Sequence, residues 1–146
     1  MNLEEHYRTL ERMYTVAPCN EYYAPKISIS NGECDVIIPV QSKFFHAANA
    51  VHGSVYFKIM DDAGFFAANS LVTDVFVLTA SFNIYFVKPI SAGELRAHGK
   101  VVHASKRLFI SESILKNSDG EEIGRGSGTF IKSHIRLTDI GYTNSY

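Results

Sequence analysis

The residues equipped for chemistry gather at one junction of the chain. Asn49-Ala50-Val51-His52-Gly53-Ser54 runs into an apolar stretch that carries Asp61 and Asp62. Gly53 stands where the pattern changes from loop to helix. First-turn N–H groups of a helix have no intrahelical partner, and the helix dipole there favours negative charge. A glycine lets a substrate carbonyl come close to the backbone. Together these features describe an oxyanion site. Asp61 offers a carboxylate, but it lies eight residues beyond Gly53, about 12 Å along a helix axis. Groups so far apart do not readily serve one carbonyl within one chain. If both act on the same carbonyl, the carboxylate comes from a second copy, so this reading expects at least a dimer with composite sites. Asp62 should repel its neighbour, and burial would raise the pKa of one of the two. Its expected role is to pair with a basic group or to shape the site.

These residues need elements to hold them. Residues 2–17 read as an amphipathic helix, with Leu3, Tyr7, Leu10, Met13 and Tyr14 at three- and four-residue spacing. Asn2 and Glu5 resemble a capping box, and Pro18 stops the helix. Residues 19–25 read as a loop. Two β-prone runs, 26–30 and 33–40, flank Asn31-Gly32, a strong hairpin signal. Residues 42–51 show no clear period. Residues 54–70 lack Pro and are apolar almost all round, as in a helix buried on several sides, with Gly64 permitting close packing. Four β-like runs follow, at 75–87, 94–103, 108–116 and 121–134, and short turns between them predict a meander. Residues 135–146 read as a polar tail. The sheet's apolar face needs a cover, and the central helix is the natural one. The expected fold is therefore α+β: a hotdog fold, a curved antiparallel sheet wrapped around a long central helix, with an extra N-terminal helix. One domain spans 1–146, its core at about 26–134.

Composition narrows the function classes. The chain of 146 residues is 46% hydrophobic, enough for a packed core and too much for a disordered chain. A net charge of −1 gives no field to attract nucleic acid or an anionic membrane. No apolar run is long enough to span a bilayer. The charged N-terminus is not a signal peptide, and two isolated cysteines without a CxxC suit a reducing compartment. The expectation is a cytoplasmic protein.

Ala50-Val51-His52-Gly53-Ser54, the apolar helix and Asp61 nine residues after His52 resemble the acyl-CoA thioesterases of the hotdog superfamily. The branch they look most like is the phenylacetyl-CoA and 4-hydroxybenzoyl-CoA (Arthrobacter-type) group, over roughly residues 33–134. Asn83-Ile84-Tyr85-Phe86-Val87-Lys88-Pro89 is similar to that family's strand ending in a Pro-containing turn. The resemblance implies that Gly53 polarises the thioester carbonyl and that Asp61, from the opposing subunit, is nucleophile or general base. It implies that His52 positions the thioester and that Thr79 orients water. CoA would arrive as part of the substrate, with no cofactor and no metal. Two departures stand out. His46 occupies the position where the family often has Asn, with Asn49 nearby at a different spacing, and Ser54 replaces the second Gly of an H-G-G. Ser54 is expected to cap the helix.

Other readings compete with this one. Asp61 and Asp62 can be polar positions at a helix rim, and Thr79 an ordinary β-branched strand residue. A His46/His52/Asp61 metal site matches no familiar ligand spacing. Neither Ser54 nor Ser81 has the context of a nucleophile elbow. Lys106-Arg107, in a turn, can meet CoA phosphates or simply be solvated. Phe65, Phe66, Phe82, Tyr85 and Phe86 can line an acyl channel, though most are expected in the core. Two rival functions stay open: a hotdog enoyl-thioester hydratase or dehydratase, using His52 or His46 with Asp61, and a non-catalytic acyl-CoA-binding domain.

Overall fold

The structure, a computed structural model, describes residues 2–142. Helix α1 covers Leu3–Val16, and the Asn2 side chain caps it by accepting the Glu5 N–H at 2.8 Å. Its apolar stripe buries Tyr7, Leu10 and Tyr14. Residues after Pro18 were expected to form a loop. They make one helical turn instead, α2 (Asn20–Tyr23), because the buried Asn20 amide donates to the Tyr14 carbonyl at 2.7 Å and folds the chain back on α1.

Strands β1 (Lys26–Ser30) and β2 (Glu33–Pro39) form the expected hairpin, closed at Ser30 opposite Glu33, with Gly32 in the left-handed region at φ +72°. A 3-10 turn at Ser42–Phe44 leads to helix α3 (Gly53–Asn69). Strands β3 (Val75–Phe86), β4 (Glu94–Ala104), β5 (Leu108–Lys116) and β6 (Glu122–Arg136) complete an antiparallel sheet in the order β1-β2-β4-β5-β6-β3.

That order corrects the meander. Strands β4, β5 and β6 do follow one another, but β3 pairs with β6 at the far edge. The segment after β3 is a connector rather than a hairpin turn. It crosses towards β2, held by Val51 N–H to Ile90 O and Val40 N–H to Gly93 O, both at 2.9 Å. The free side of β3 is an open edge, and Leu78, Tyr85 and Phe86 on it are exposed, so the last two are not core residues.

The sheet curves around α3, whose Ile59, Met60, Ala63 and Ala67 are buried completely. Contact is close enough that a Cβ on Gly99 would meet the Ala63 carbonyl oxygen at 2.3 Å. Two buried hydroxyls fasten the helix to β5: Ser111 donates to Gly64 O at 2.9 Å and Ser113 to Met60 O at 2.7 Å.

The end of the chain is also packed, which corrects the reading of a tail from residue 135. Strand β6 runs to Arg136, Leu137–Asp139 form a 3-10 turn, and Leu137 and Tyr142 are buried. The Tyr142 hydroxyl donates to His6 Nδ1 at 2.7 Å, while His6 Nε2 donates to Asn69 O at 2.9 Å. Residues 143–146 of that expected tail lie outside the described ones.

Candidate active site

Helix α3 presents two sets of polar groups, one at its N-terminus and one two turns along. At the start, Gly53 is the first helical residue, so the cap is His52 rather than Ser54. Ser54 sits inside the first turn, where its own N–H needs an acceptor. His52 Nδ1 accepts it at 3.0 Å and lies 2.8 Å from Ser54 Oγ. With Nδ1 accepting, Nε2 carries the proton and is a donor. The Gly53 N–H has no partner among the described residues. It borders a concavity of about 400 Å³ lined also by His46, Tyr56, Phe86 and Lys88. The Phe86 ring lies over Gly53, 2.6 Å from where a Cβ would stand.

The loop before the helix is compact. His46 Nδ1 accepts the Ala48 N–H at 3.0 Å, and Asn49 donates its N–H to His46 O at 3.0 Å. Asn49 adopts φ +62°, a conformation that Asn tolerates better than most residues. Its place is in the turn, outside the lining of the concavity, while His46 is on the lining.

Two turns along α3, Asp61 enters a second cavity of about 560 Å³. Thr79, on β3 and expected to orient water, donates its hydroxyl to Asp61 Oδ1 at 2.9 Å. Burial pushes the Asp61 carboxyl up to about 6. The neighbouring Asp62 charge adds to this, while the Thr79 hydrogen bond and the Lys58 charge oppose it.

Asp62 is paired, as its expected role required. Its Oδ2 accepts from the Tyr14 hydroxyl at 2.6 Å and from Lys58 Nζ at 2.7 Å. Lys58 also donates to Asn20 Oδ1 at 2.6 Å and lies over the Tyr14 and Tyr23 rings. Burial raises the Asp62 pKa and the Lys58 charge works against it. Burial, with the Asp62 charge, also pushes the Tyr14 hydroxyl well above its usual range, so it stays a donor. Lys58 was legible as an i,i+4 partner of Asp62. Tyr14 and Asn20 carried no such signal.

The structure thus brings Asp61, Asp62 and Thr79 together, and His46, His52, Gly53 and Ser54 together elsewhere, with Gly53 and Asp61 in separate cavities as their spacing implies. Lys106 and Arg107 are exposed in the β4–β5 turn, outside both linings. Phe65 and Phe66 line the Asp61 cavity, and Phe82 packs between Phe57 and Phe130. Among the described residues, no cluster of three or more His, Cys, Asp or Glu is placed to hold a metal, and no helix is long and apolar enough to cross a membrane.

Residues 48–123 match the Thioesterase superfamily, and the chain belongs to that family. The fold is that of the hotdog proteins. The PaaI protein of E. coli, from the phenylacetic acid degradation operon, superposes with a TM-score of 0.83 at 19% identity, over 91% of this chain and 96% of that one. The conserved protein PA5202 of Pseudomonas aeruginosa does so with a TM-score of 0.78 at 23% identity, over 84% and 98%. In sequence, a protein of Saccharolobus solfataricus provisionally named an esterase is 24% identical over 104 residues, 71% of this chain and 74% of that protein.

Proposed function

We propose that the chain is an acyl-CoA thioesterase that works as at least a dimer. The observation that carries this reading is the partly buried Asp61 carboxylate, held by the Thr79 hydroxyl inside a cavity, in a chain of the thioesterase superfamily. Thr79 occupies one carboxylate oxygen and leaves the other for water or for the thioester carbon. As general base, Asp61 takes a proton from water, and the resulting hydroxide attacks the thioester carbonyl. As nucleophile, it attacks the carbonyl itself and forms an anhydride that water then opens. In both schemes the Gly53 N–H of a second copy holds the oxyanion, and His52 Nε2 donates to the thioester. Collapse of the tetrahedral intermediate expels CoA as thiolate, which takes up a proton. Labelled oxygen from solvent enters Asp61 over repeated turnovers only in the nucleophilic scheme.

The open β3 edge is the joint this reading favours. A strand with one open edge and exposed Leu78, Tyr85 and Phe86 suits edge-to-edge pairing with a second copy. Pairing of dimers into a tetramer is compatible with it. The scheme needs no metal and no redox cofactor, and CoA enters as part of the substrate. The sequence pattern around His52, and the likeness to PaaI in fold, support the phenylacetyl-CoA and 4-hydroxybenzoyl-CoA branch. The hydratase reading, with His52 or His46, needs a ring nitrogen that accepts a proton, and the Nδ1 atoms of both already accept backbone N–H groups, which leaves each Nε2 a donor. The test is thiol release from short, medium, long and aryl acyl-CoAs by the parent and by Asp61→Asn. Release that collapses in the variant supports the assignment. No release from any member sinks it.

A further inference from the structure

Besides Asp61, Asp62, Tyr14, Asn20 and Thr79, the lining of the Asp61 cavity is largely apolar, and part of it comes from α1 and from the segment after β6. The second half of α1 supplies Met13 and Val16, and the segment after β6 supplies Ile140. Val16 is 70% exposed, Leu78 41% and Ile140 38%. Single exposed apolar residues are ordinary, but Val16 and Ile140 both stand on the lining of one cavity, off the β3 edge that carries Leu78, and apolar surface gathered at a cavity marks a binding site. Both segments are held in place by hydrogen bonds to the rest of the fold. Helix α1 is tied through Tyr14 to Asp62 and to Asn20. The C-terminal segment is tied through Tyr142 to His6 and through the Leu137 N–H to Asp74 O at 3.0 Å. These bonds fix an apolar wall beside a carboxylate, at a place where the sheet and α3 alone would leave the cavity open.

We infer that this wall, centred on Met13, Val16 and Ile140, binds the hydrocarbon part of the acyl group and sets its length preference, favouring neutral medium and longer chains over acetyl. The inference rests on the thioesterase reading for where the thioester carbon sits, beside Asp61. An acetyl group reaches little of the wall. Each further methylene laid against it improves affinity by up to about fourfold. An acyl group ending in a carboxylate, such as succinyl, would place a charged end against the apolar wall and near the Asp61 carboxylate, while Lys58 is already paired with Asp62, so this site discriminates against it.

The test uses the non-hydrolysable ethyl, hexyl and decyl thioethers of CoA, with affinities measured by calorimetry on the whole chain. The parent is expected to bind the decyl thioether at least tenfold more tightly than the ethyl. A Val16→Ser/Ile140→Ser variant, changed at two exposed positions, is expected to lose at least fivefold more affinity for decyl than for ethyl. The chain has no Trp, so Ile140→Trp adds a single fluorophore to the wall. Its emission is expected to shift with the decyl thioether and not with the ethyl. Length-independent binding by the parent, an unchanged increment in the double variant, or an emission blind to the decyl chain each overturns the inference. Absence of thiol release from every acyl-CoA, with the thioether increments intact, overturns the hydrolase reading and leaves the wall standing.

Discussion

Asp61 and Asp62 are adjacent on one helix, yet they occupy two different electrostatic settings. Asp62 faces α1, and one of its oxygens accepts from both the Tyr14 hydroxyl of α1 and Lys58, one turn back on α3. Asp61 faces β3, where its one partner among the described residues is a neutral hydroxyl. The same side chain is thus a structural ion on one side of α3 and a carboxylate in reserve on the other. The difference lies in what the flanking elements bring: α1 and α2 supply Tyr14 and Asn20 to Lys58, while β3 supplies only Thr79. Burial raises both carboxyls, but a counter-charge and a hydroxyl on Asp62 oppose that rise and hold it in place. Asp61, with one neutral hydroxyl, keeps an affinity for protons, and that is what a base near neutral pH needs.

Removing Asp61 from this contrast should have the largest effect. Asp61→Asn is expected to lower kcat/KM at least a hundredfold, about 2.7 kcal/mol of transition-state stabilisation, in a thiol-release assay. In the parent, activity should fall about tenfold per pH unit below about 6, as the carboxylate takes up its proton. Stripping Asp62 of its counter-charge should come next. Lys58→Met leaves a largely buried anion without its cation, and a loss of about 2–3 kcal/mol is expected in urea unfolding. Both carboxyls then hold protons more tightly, so the acid limb of the activity profile moves to higher pH. An unchanged unfolding midpoint would show that Asp62 is not the paired member.

A smaller effect sharpens the comparison through stability. Asp61 has its folded pKa raised above that of the unfolded chain, so the folded state binds the proton more tightly. Stability therefore falls as pH rises from about 4 to about 6, and the ionised carboxylate remains a cost above that. Asp61→Asn should unfold at higher urea than the parent at pH 7, by about 1–2 kcal/mol, with the advantage gone at pH 4. The smallest expected change is that of Thr79→Ala. Losing a hydroxyl that holds the carboxylate lowers kcat/KM by about 1 kcal/mol, roughly fivefold, and moves the acid limb upward. A limb that stays put would separate Thr79 from the proton chemistry of Asp61.

Much of this arrangement was written locally. The Asn2 cap, the Asn31-Gly32 hairpin and the all-round apolar helix are short-range patterns, and each formed where the spacing placed it. The partner of β3 was not legible, because strand choice across a sheet is a non-local contest that no turn motif announces. The rule of sequential neighbours held for β4 to β6 and failed at the Lys88-Pro89 connector. The helix cap was misassigned by preference statistics: Ser54 is the better capping type, but the helix starts two residues too early for it. At the site, the resemblance singled out Asp61 and Thr79 separately, and the hydrogen bond that joins them appears only once β3 is packed against α3. The Tyr14 and Asn20 contacts stayed hidden because they join residues 48 and 38 positions away from Asp62 and Lys58. The C-terminal wall was missed for a related reason, since a mostly polar stretch conceals the two side chains, Leu137 and Tyr142, that anchor it.

The bare backbone at Gly99 has a consequence for how this protein tolerates mutation. It works as a mechanical stop: α3 seats against the sheet as deeply as it does because nothing projects from that position towards Ala63. Asp62 precedes Ala63 and Asp61 lies one residue further back, so the depth of the seat is also the depth of both carboxylates. A methyl group at position 99 would lift the helix away from β4 and pull Asp61 off Thr79. Position 99 is then a place where a change that touches neither cavity nor substrate can silence the chemistry, and a survey of inactive variants that looks only at the cavity walls would pass over it.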